Sequence, residues 1–296
     1  MREAVFEGAC PAVVTPFTST GSVDFDSLAK LLDRQIEAGV SAVCVCGTTG
    51  EATTMSLREH IEVVEFAVKQ VNGRVKVIAG AGSNDTSAAV YLSECAKGSG
   101  ADALLSVTPY YNKASQTGLI KHYEHIAERV NLPMILYNVP SRTGVSFTAE
   151  TYHHLSKHPN INGVKEASGN FSLLAHTRYL CEDDFYIWSG NDDQVVPMMA
   201  LGAKGVISVA CNILPEMMVE MNRLCLANDC EAAAKLQIDY MDLIDALFIE
   251  VNPIPIKTAM NLMGMNVGVL RLPLCDMEEG NLEILKKAMK RQNLLQ

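Results

Sequence analysis

A lysine stands where an apolar strand would bury it. Ile161-Asn162-Gly163-Val164-Lys165-Glu166 reads as a short strand with Lys165 near its carboxyl end. Strands between helical segments are normally covered on both faces, and burial disfavours the charged form of an amine. A free amine in a pocket is the nucleophile that imine chemistry with a ketone needs. The plainer reading is a strand end whose lysine snorkels to water. Other strand-like runs end in residues that bear on the choice. These are Gly47-Thr48-Thr49-Gly50-Glu51, Thr108-Pro109-Tyr110-Tyr111-Asn112, Tyr137-Asn138-Val139-Pro140-Ser141-Arg142-Thr143-Gly144 and Ser189-Gly190-Asn191-Asp192. Hydroxyls can relay protons, and backbone N–H groups freed by glycine can hold a carboxylate. Singly, a tyrosine before a loop is more often a packing residue, and a loop arginine is usually solvated or weakly paired. The glycine-flanked segment is not a P-loop, because no Gly-Lys-Ser/Thr follows it. What favours chemistry is that all of these fall at one kind of place, the carboxyl end of a strand.

The elements that must position them alternate. Short β-branched or apolar runs cover residues 12–15, 42–46, 75–79, 103–108, 134–138, 161–165, 186–189 and 205–209. Each is too short for a helix and is bounded by turn residues. Helical patterns lie between them. One carries Leu28, Leu31, Leu32 and Ile36 and stops at Gly39; the next opens with the capping-box pair Ser56 and Glu59 and stops at Gly73. Others start near Asp85 and cover 116–129, 148–157, 171–181 and 194–201. A repeat marks the return from helix to strand in Ala38-Gly39-Val40-Ser41-Ala42-Val43, Ser99-Gly100-Ala101-Asp102-Ala103-Leu104 and Leu201-Gly202-Ala203-Lys204-Gly205-Val206. There glycine ends the helix in a left-handed conformation. Eight such units predict an α/β fold, a (β/α)8 TIM barrel, whose active site belongs at the carboxyl ends of the strands. A doubly wound sheet is the alternative, but Gly80-Ala81-Gly82 lacks the third glycine and the downstream acid of a dinucleotide site. Helical patterns at 216–227, 231–250, 255–263 and 278–291 follow. The expected division is a barrel over 1–229 and a C-terminal helical domain over 230–296.

Composition excludes several functions. A net charge of −10 and a pI near 5.2 disfavour nucleic acid and anionic membranes as partners. Met1-Arg2-Glu3-Ala4-Val5-Phe6-Glu7-Gly8 has no basic segment leading into an apolar run, and no apolar stretch reaches spanning length. A cytoplasmic protein is expected. The nine cysteines, without framework spacing, fit reduced thiols. His122 and His125 lie three apart with no third ligand nearby, and His153 and His154 are adjacent, so no metal site is expected.

Taken together, Gly47-Thr48-Thr49-Gly50-Glu51, Tyr137-Asn138-Val139-Pro140 and Gly163-Val164-Lys165-Glu166 resemble the pyruvate-dependent class I aldolases of the N-acetylneuraminate lyase-like family. Thr108-Pro109-Tyr110-Tyr111-Asn112, Pro140-Ser141-Arg142-Thr143-Gly144 and Asn252-Pro253-Ile254-Pro255-Ile256-Lys257 are most similar to its dihydrodipicolinate synthase branch. The likeness covers essentially the whole chain. It implies condensation of pyruvate with L-aspartate 4-semialdehyde in lysine and diaminopimelate biosynthesis. Lys165 would form the Schiff base, Tyr137 would move protons, and Thr48 would link Tyr137 to Tyr111 of a neighbouring subunit. Thr48 and Thr49 would hold the pyruvate carboxylate, Arg142 would attract that of the second substrate, and Gly190 and Ile207 would line the pocket. A homotetramer built as a pair of tight dimers is implied. No metal or organic cofactor is called for, since the protonated imine is itself the electron sink. A sister aldolase acting on a sugar aldehyde would share Lys165 and Tyr137 but leaves Arg142 and the paired Tyr110-Tyr111 unexplained. A silent ligand-binding barrel predicts an altered lysine or tyrosine, and neither is altered. One departure bears on regulation. Asn84, His60 and Tyr110 match the interface pocket of lysine-inhibited members, but Ala88 replaces its acidic residue and Leu57 one histidine, so feedback by lysine is expected to be weak or absent.

Overall fold

The computed structural model describes residues 2–295; Met1, where the N-terminal reading begins, and Gln296 lie outside them. Its strands are β1 (Gly8–Pro11), β2 (Ala42–Val45), β3 (Lys76–Gly80), β4 (Ala103–Val107), β5 (Met134–Asn138), β6 (Ile161–Glu166), β7 (Tyr186–Ser189) and β8 (Gly205–Ser208). All eight pair in parallel in the order β1-β8-β7-β6-β5-β4-β3-β2. The ring closes where Ser41 N donates to Ala9 O at 2.9 Å and Val13 N to Cys44 O at 2.8 Å. This is the expected (β/α)8 barrel, with a helix on the outside after each strand.

Strand alternation separates two layers. Val43, Val77, Leu104, Leu136, Val164 and Ile187 point outward into the core shared with the helices. Cys44, Ile78, Leu105, Tyr137, Trp188 and Ile207 form a second cluster inside the barrel. Lys165 belongs to this inner face, because the register sets it beside Tyr137 on one neighbour and Trp188 on the other. At the amino end Phe6 stacks on Trp188, centroids 5.2 Å apart, and Trp188 Nε1 donates to Phe6 O at 3.1 Å. That plug leaves the carboxyl end to carry chemistry.

The local signals read from the sequence hold where they are short-range. Ser56 Oγ accepts from Glu59 N at 3.2 Å and Glu59 Oε2 from Ser56 N at 2.9 Å, so the capping box of the helix Leu57–Val71 is complete. Gly39, Gly100 and Gly202 of the repeat take φ of 88°, 91° and 94°. The first strand is corrected. It spans Gly8–Pro11, where residues 12–15 were expected. Gly8 and Pro11 are poor strand formers in isolation, yet Gly8 pairs with Gly205 while 12–15 keeps only the Ala12–Cys44 bridge. The helix expected over 231–250 is also corrected. It breaks at Tyr240 into Cys230–Asp239 and Met241–Ala246. The break buries Leu243 and Leu247 and brings Phe248 to the mouth of the barrel. Helices Ile254–Leu262 and Glu279–Arg291 follow, and their buried residues join the outer core. Among the described residues no helix is long and apolar enough to cross a membrane.

Candidate active site

A cavity of about 150 Å³ opens at the carboxyl end of the barrel. Lys165, Tyr137, Thr48, Thr49, Arg142 and Gly190 all line it, so the barrel gathers six residues picked from four separate segments of sequence. Lys165 is buried, with Nζ 4.6 Å from the centroid of the Tyr137 ring. Burial pushes the nearby Cys44 thiol up to about 11, and it raises the Cys10 and Cys46 thiols as well. Sulfur therefore stays protonated at neutral pH, and the lysine amine is the nucleophile on offer.

Space for that amine depends on a missing side chain. A Cβ on Gly190 would lie 2.7 Å from Ala167 Cβ and 3.0 Å from Lys165 Cε. Gly190→Ala is expected to push Lys165 and Ala167 aside, to lower kcat/KM by about tenfold or more and to cost about 1–3 kcal/mol of stability. Steady-state rates beside a thermal melt would check this.

The loop after β2 is built for close backbone approach. The chain enters and leaves it in the left-handed region, at Cys46 (φ 55°) and Glu51 (φ 53°). It lies so tightly on β3 that a Cβ on Gly80 would fall 2.1 Å from Cys46 O. Glu51 is buried and paired with Lys257 at 2.8 Å, and its other oxygen accepts from Arg271 N at 3.1 Å. Thr49 Oγ1 accepts from Asn252 Nδ2 at 3.0 Å. Across the cavity the short helix Pro140–Thr143 carries Arg142, which donates to Asn252 O at 3.1 Å. Its base is tied to the loop after β4 through Thr108 Oγ1 and Thr143 Oγ1, 3.0 Å apart.

Further buried carboxylates hold the rim. Glu166 accepts from Asn138 Nδ2, Tyr152 Oη at 2.8 Å and Ser168 N at 2.8 Å. Asp192 Oδ2 accepts from Val209 N at 3.0 Å and Ala210 N at 2.8 Å, fixing the turn after β8. Burial pushes Asp192 up, while these hydrogen bonds and the Lys165 charge pull it the other way.

Ile207, expected to line the pocket, does not line this cavity, and Tyr111, expected to act in a neighbouring subunit, is not at this one either. Ile207 is fully buried in the interior cluster, and Val209 lines the cavity from the same chain end. Tyr111 is 90% exposed and held at φ 72°, away from Lys165 within this chain. Thr48 and Tyr137 share the cavity, but among the described residues no hydrogen bond joins their hydroxyls. A neighbouring cavity of about 270 Å³ shares Thr48 and Tyr137 and extends to Leu57, His60, Ala88 and Tyr110. There His60 Nε2 donates to Gly80 O at 2.7 Å, and burial holds its imidazole below the usual range. Among the described residues no group of three or more His, Cys, Asp or Glu could hold a metal ion. Sequence reasoning gave no role to Asn252, Lys257, Asp192 or Cys44. The only signal for the first two was the Asn252–Lys257 motif itself, noted without a function.

Comparison with known proteins agrees in sequence and in structure. The pattern of the Dihydrodipicolinate synthetase family matches residues 5–292. The 4-hydroxy-tetrahydrodipicolinate synthase of Clostridium novyi strain NT is 51% identical over 289 residues, 98% of this chain and 97% of that protein. The dihydrodipicolinate synthase of Acinetobacter baumannii, solved in complex with pyruvate, superposes with a TM-score of 0.95 at 42% identity, covering 98% and 99% of the two chains. That of Cyanidioschyzon merolae, solved with lysine bound, gives a TM-score of 0.96 at 39% identity, covering 99% and 100%.

Proposed function

Because this chain belongs to the dihydrodipicolinate synthetase family, we propose that it condenses pyruvate with L-aspartate 4-semialdehyde to 4-hydroxy-tetrahydrodipicolinate through an imine on Lys165. The observation that carries this reading is a buried lysine amine at a strand end, beside Tyr137, lining a cavity of about 150 Å³. The amine adds to the ketone carbon, and loss of water leaves the protonated imine. Loss of a methyl proton then gives the enamine, whose carbon attacks the aldehyde. The product amine closes the ring onto the imine carbon and displaces Lys165. Tyr137 is the group placed to hand protons on and off, with Thr48 as its relay. Backbone N–H groups of Thr48 and Thr49 hold the pyruvate carboxylate, and Arg142 draws in the carboxylate of the second substrate.

The relay is completed by a neighbouring copy, in a homotetramer of two tight dimers, in the cytoplasm. What supports the neighbouring copy is Tyr111: an aromatic ring 90% exposed on a backbone at φ 72° carries strain and apolar area with no gain inside one chain. The test of the function is pyruvate consumption with aspartate semialdehyde and, in parallel, with N-acetylmannosamine. Turnover with the semialdehyde alone is expected; turnover with the sugar alone would overturn the substrate assignment while keeping the imine.

Feedback follows from the second cavity. Ala88 and Leu57 line it where an acid and a histidine would serve an ammonium. Without a charged partner the affinity for lysine falls. Sub-millimolar L-lysine is expected to leave the initial rate unchanged. Strong inhibition at that concentration would refute the inference.

A further inference from the structure

The motif Asn252-Pro253-Ile254-Pro255-Ile256-Lys257 grips the loop after β2 at two points. Asn252 Nδ2 reaches Thr49 Oγ1 at 3.0 Å, and Lys257 Nζ reaches Glu51 Oε1 at 2.8 Å. Asn252 is 6% exposed, lines the Lys165 cavity, and its carbonyl accepts from Arg142 at 3.1 Å. We propose that Asn252 is a positioning residue: its side chain sets the direction in which Thr49 donates, and its carbonyl sets the place of Arg142. The proposal rests on the reading that Thr49 faces the pyruvate carboxylate.

The argument is one of donor counting. A threonine hydroxyl has one O–H to give and two lone pairs. Asn252 fills a lone pair of Thr49 Oγ1, which leaves the O–H free for an acceptor in the cavity. A carboxylate is the strongest acceptor a substrate there can bring. The opposite amide orientation would make Thr49 spend its proton on Asn252 and would leave two buried N–H donors with no partner. The orientation seen pairs one N–H with Thr49 and leaves the other and Oδ1 without a partner, so it strands one donor rather than two, and orphaned buried donors are the rarer and costlier case.

Asn252→Asp keeps the shape and reverses the polarity. A carboxylate there can only accept, so it takes the Thr49 proton and sets a negative charge beside the substrate's. The readout is the pyruvate concentration that half-saturates borohydride trapping of the imine, with the KM for semialdehyde measured alongside. The expected result is a rise of about tenfold to a hundredfold for pyruvate. The semialdehyde KM should change little, because Arg142 is held by a backbone carbonyl that the substitution leaves in place. Asn252→Ala, which adds no charge, should show the same split more weakly, and it carries the test if the aspartate variant does not fold. Unchanged pyruvate half-saturation in folded variants, or equal losses for both substrates, would overturn the proposal alone. A wild-type protein that traps no pyruvate would overturn the functional reading and this proposal with it.

Discussion

Lys165→Arg is expected to remove the activity, by about a thousandfold or more in kcat/KM, and with it all trapping of pyruvate. Arginine keeps the charge and much of the bulk, so the buried site between Tyr137 and Trp188 stays filled. What it lacks is an amine that can lose a proton and add to a carbonyl. Treatment with borohydride in the presence of pyruvate should reduce the C=N bond of the wild type and leave a stable secondary amine on Lys165, located by peptide mass analysis. The variant should show no adduct there or elsewhere. Lys257 is the informative control. It is also buried, but its Nζ already donates to Glu51 Oε1 at 2.8 Å, Thr15 O at 3.2 Å and Val269 O at 2.6 Å. Its proton count is committed to structure, whereas Lys165 faces an open cavity. An adduct on Lys257, or retained turnover in the Lys165 variant, would refute the assignment of the nucleophile.

That contrast also shows what the sequence made legible. Lys165 stood out because its setting is local: an apolar strand between helical segments marks any lysine inside it. The strand ends and helix caps were readable for the same reason, since Ser56 and Glu59 or Gly100 and its helix lie within a turn of each other. The first strand was misplaced where local rules conflict with the ring. Gly8 and Pro11 are poor strand formers in isolation, but barrel closure against Gly205–Ser208 selects them. The supports of the site were not readable at all. Asn252 meets Thr49 across 203 residues and Lys257 meets Glu51 across 206, and no periodicity encodes such a separation. Tyr111 is a third case. Its 90% exposure finds no account within one chain, and the role proposed for it in a neighbouring subunit came from the family resemblance, not from the residues around it.

Lys257→Met should destabilise the protein by about 3–5 kcal/mol, the usual result of removing one partner of a buried ion pair. Both side chains are buried to within 1%. Methionine fills most of the space but leaves the Glu51 carboxylate with the Arg271 N–H as its remaining partner, and it also strips Thr15 O and Val269 O of a donor. Because Glu51 ends the loop that holds Thr48 and Thr49, activity at a temperature where the variant is still folded should fall as well, chiefly as a higher KM for pyruvate. The companion Glu51→Gln plus Lys257→Met separates charge from packing. If the cost of the single change is the stranded charge, neutralising both should recover a large part of the stability in denaturant titrations. If the double variant is no better than the single one, the lost hydrogen bonds to Thr15 and Val269 dominate, and the ion pair is not what fixes the loop. Recovery of stability without recovery of pyruvate affinity would place the role of the pair in aiming the loop, since a neutral amide beside a methionine can refill the space but cannot replace the ion pair that holds the left-handed turn at residue 51 to one geometry.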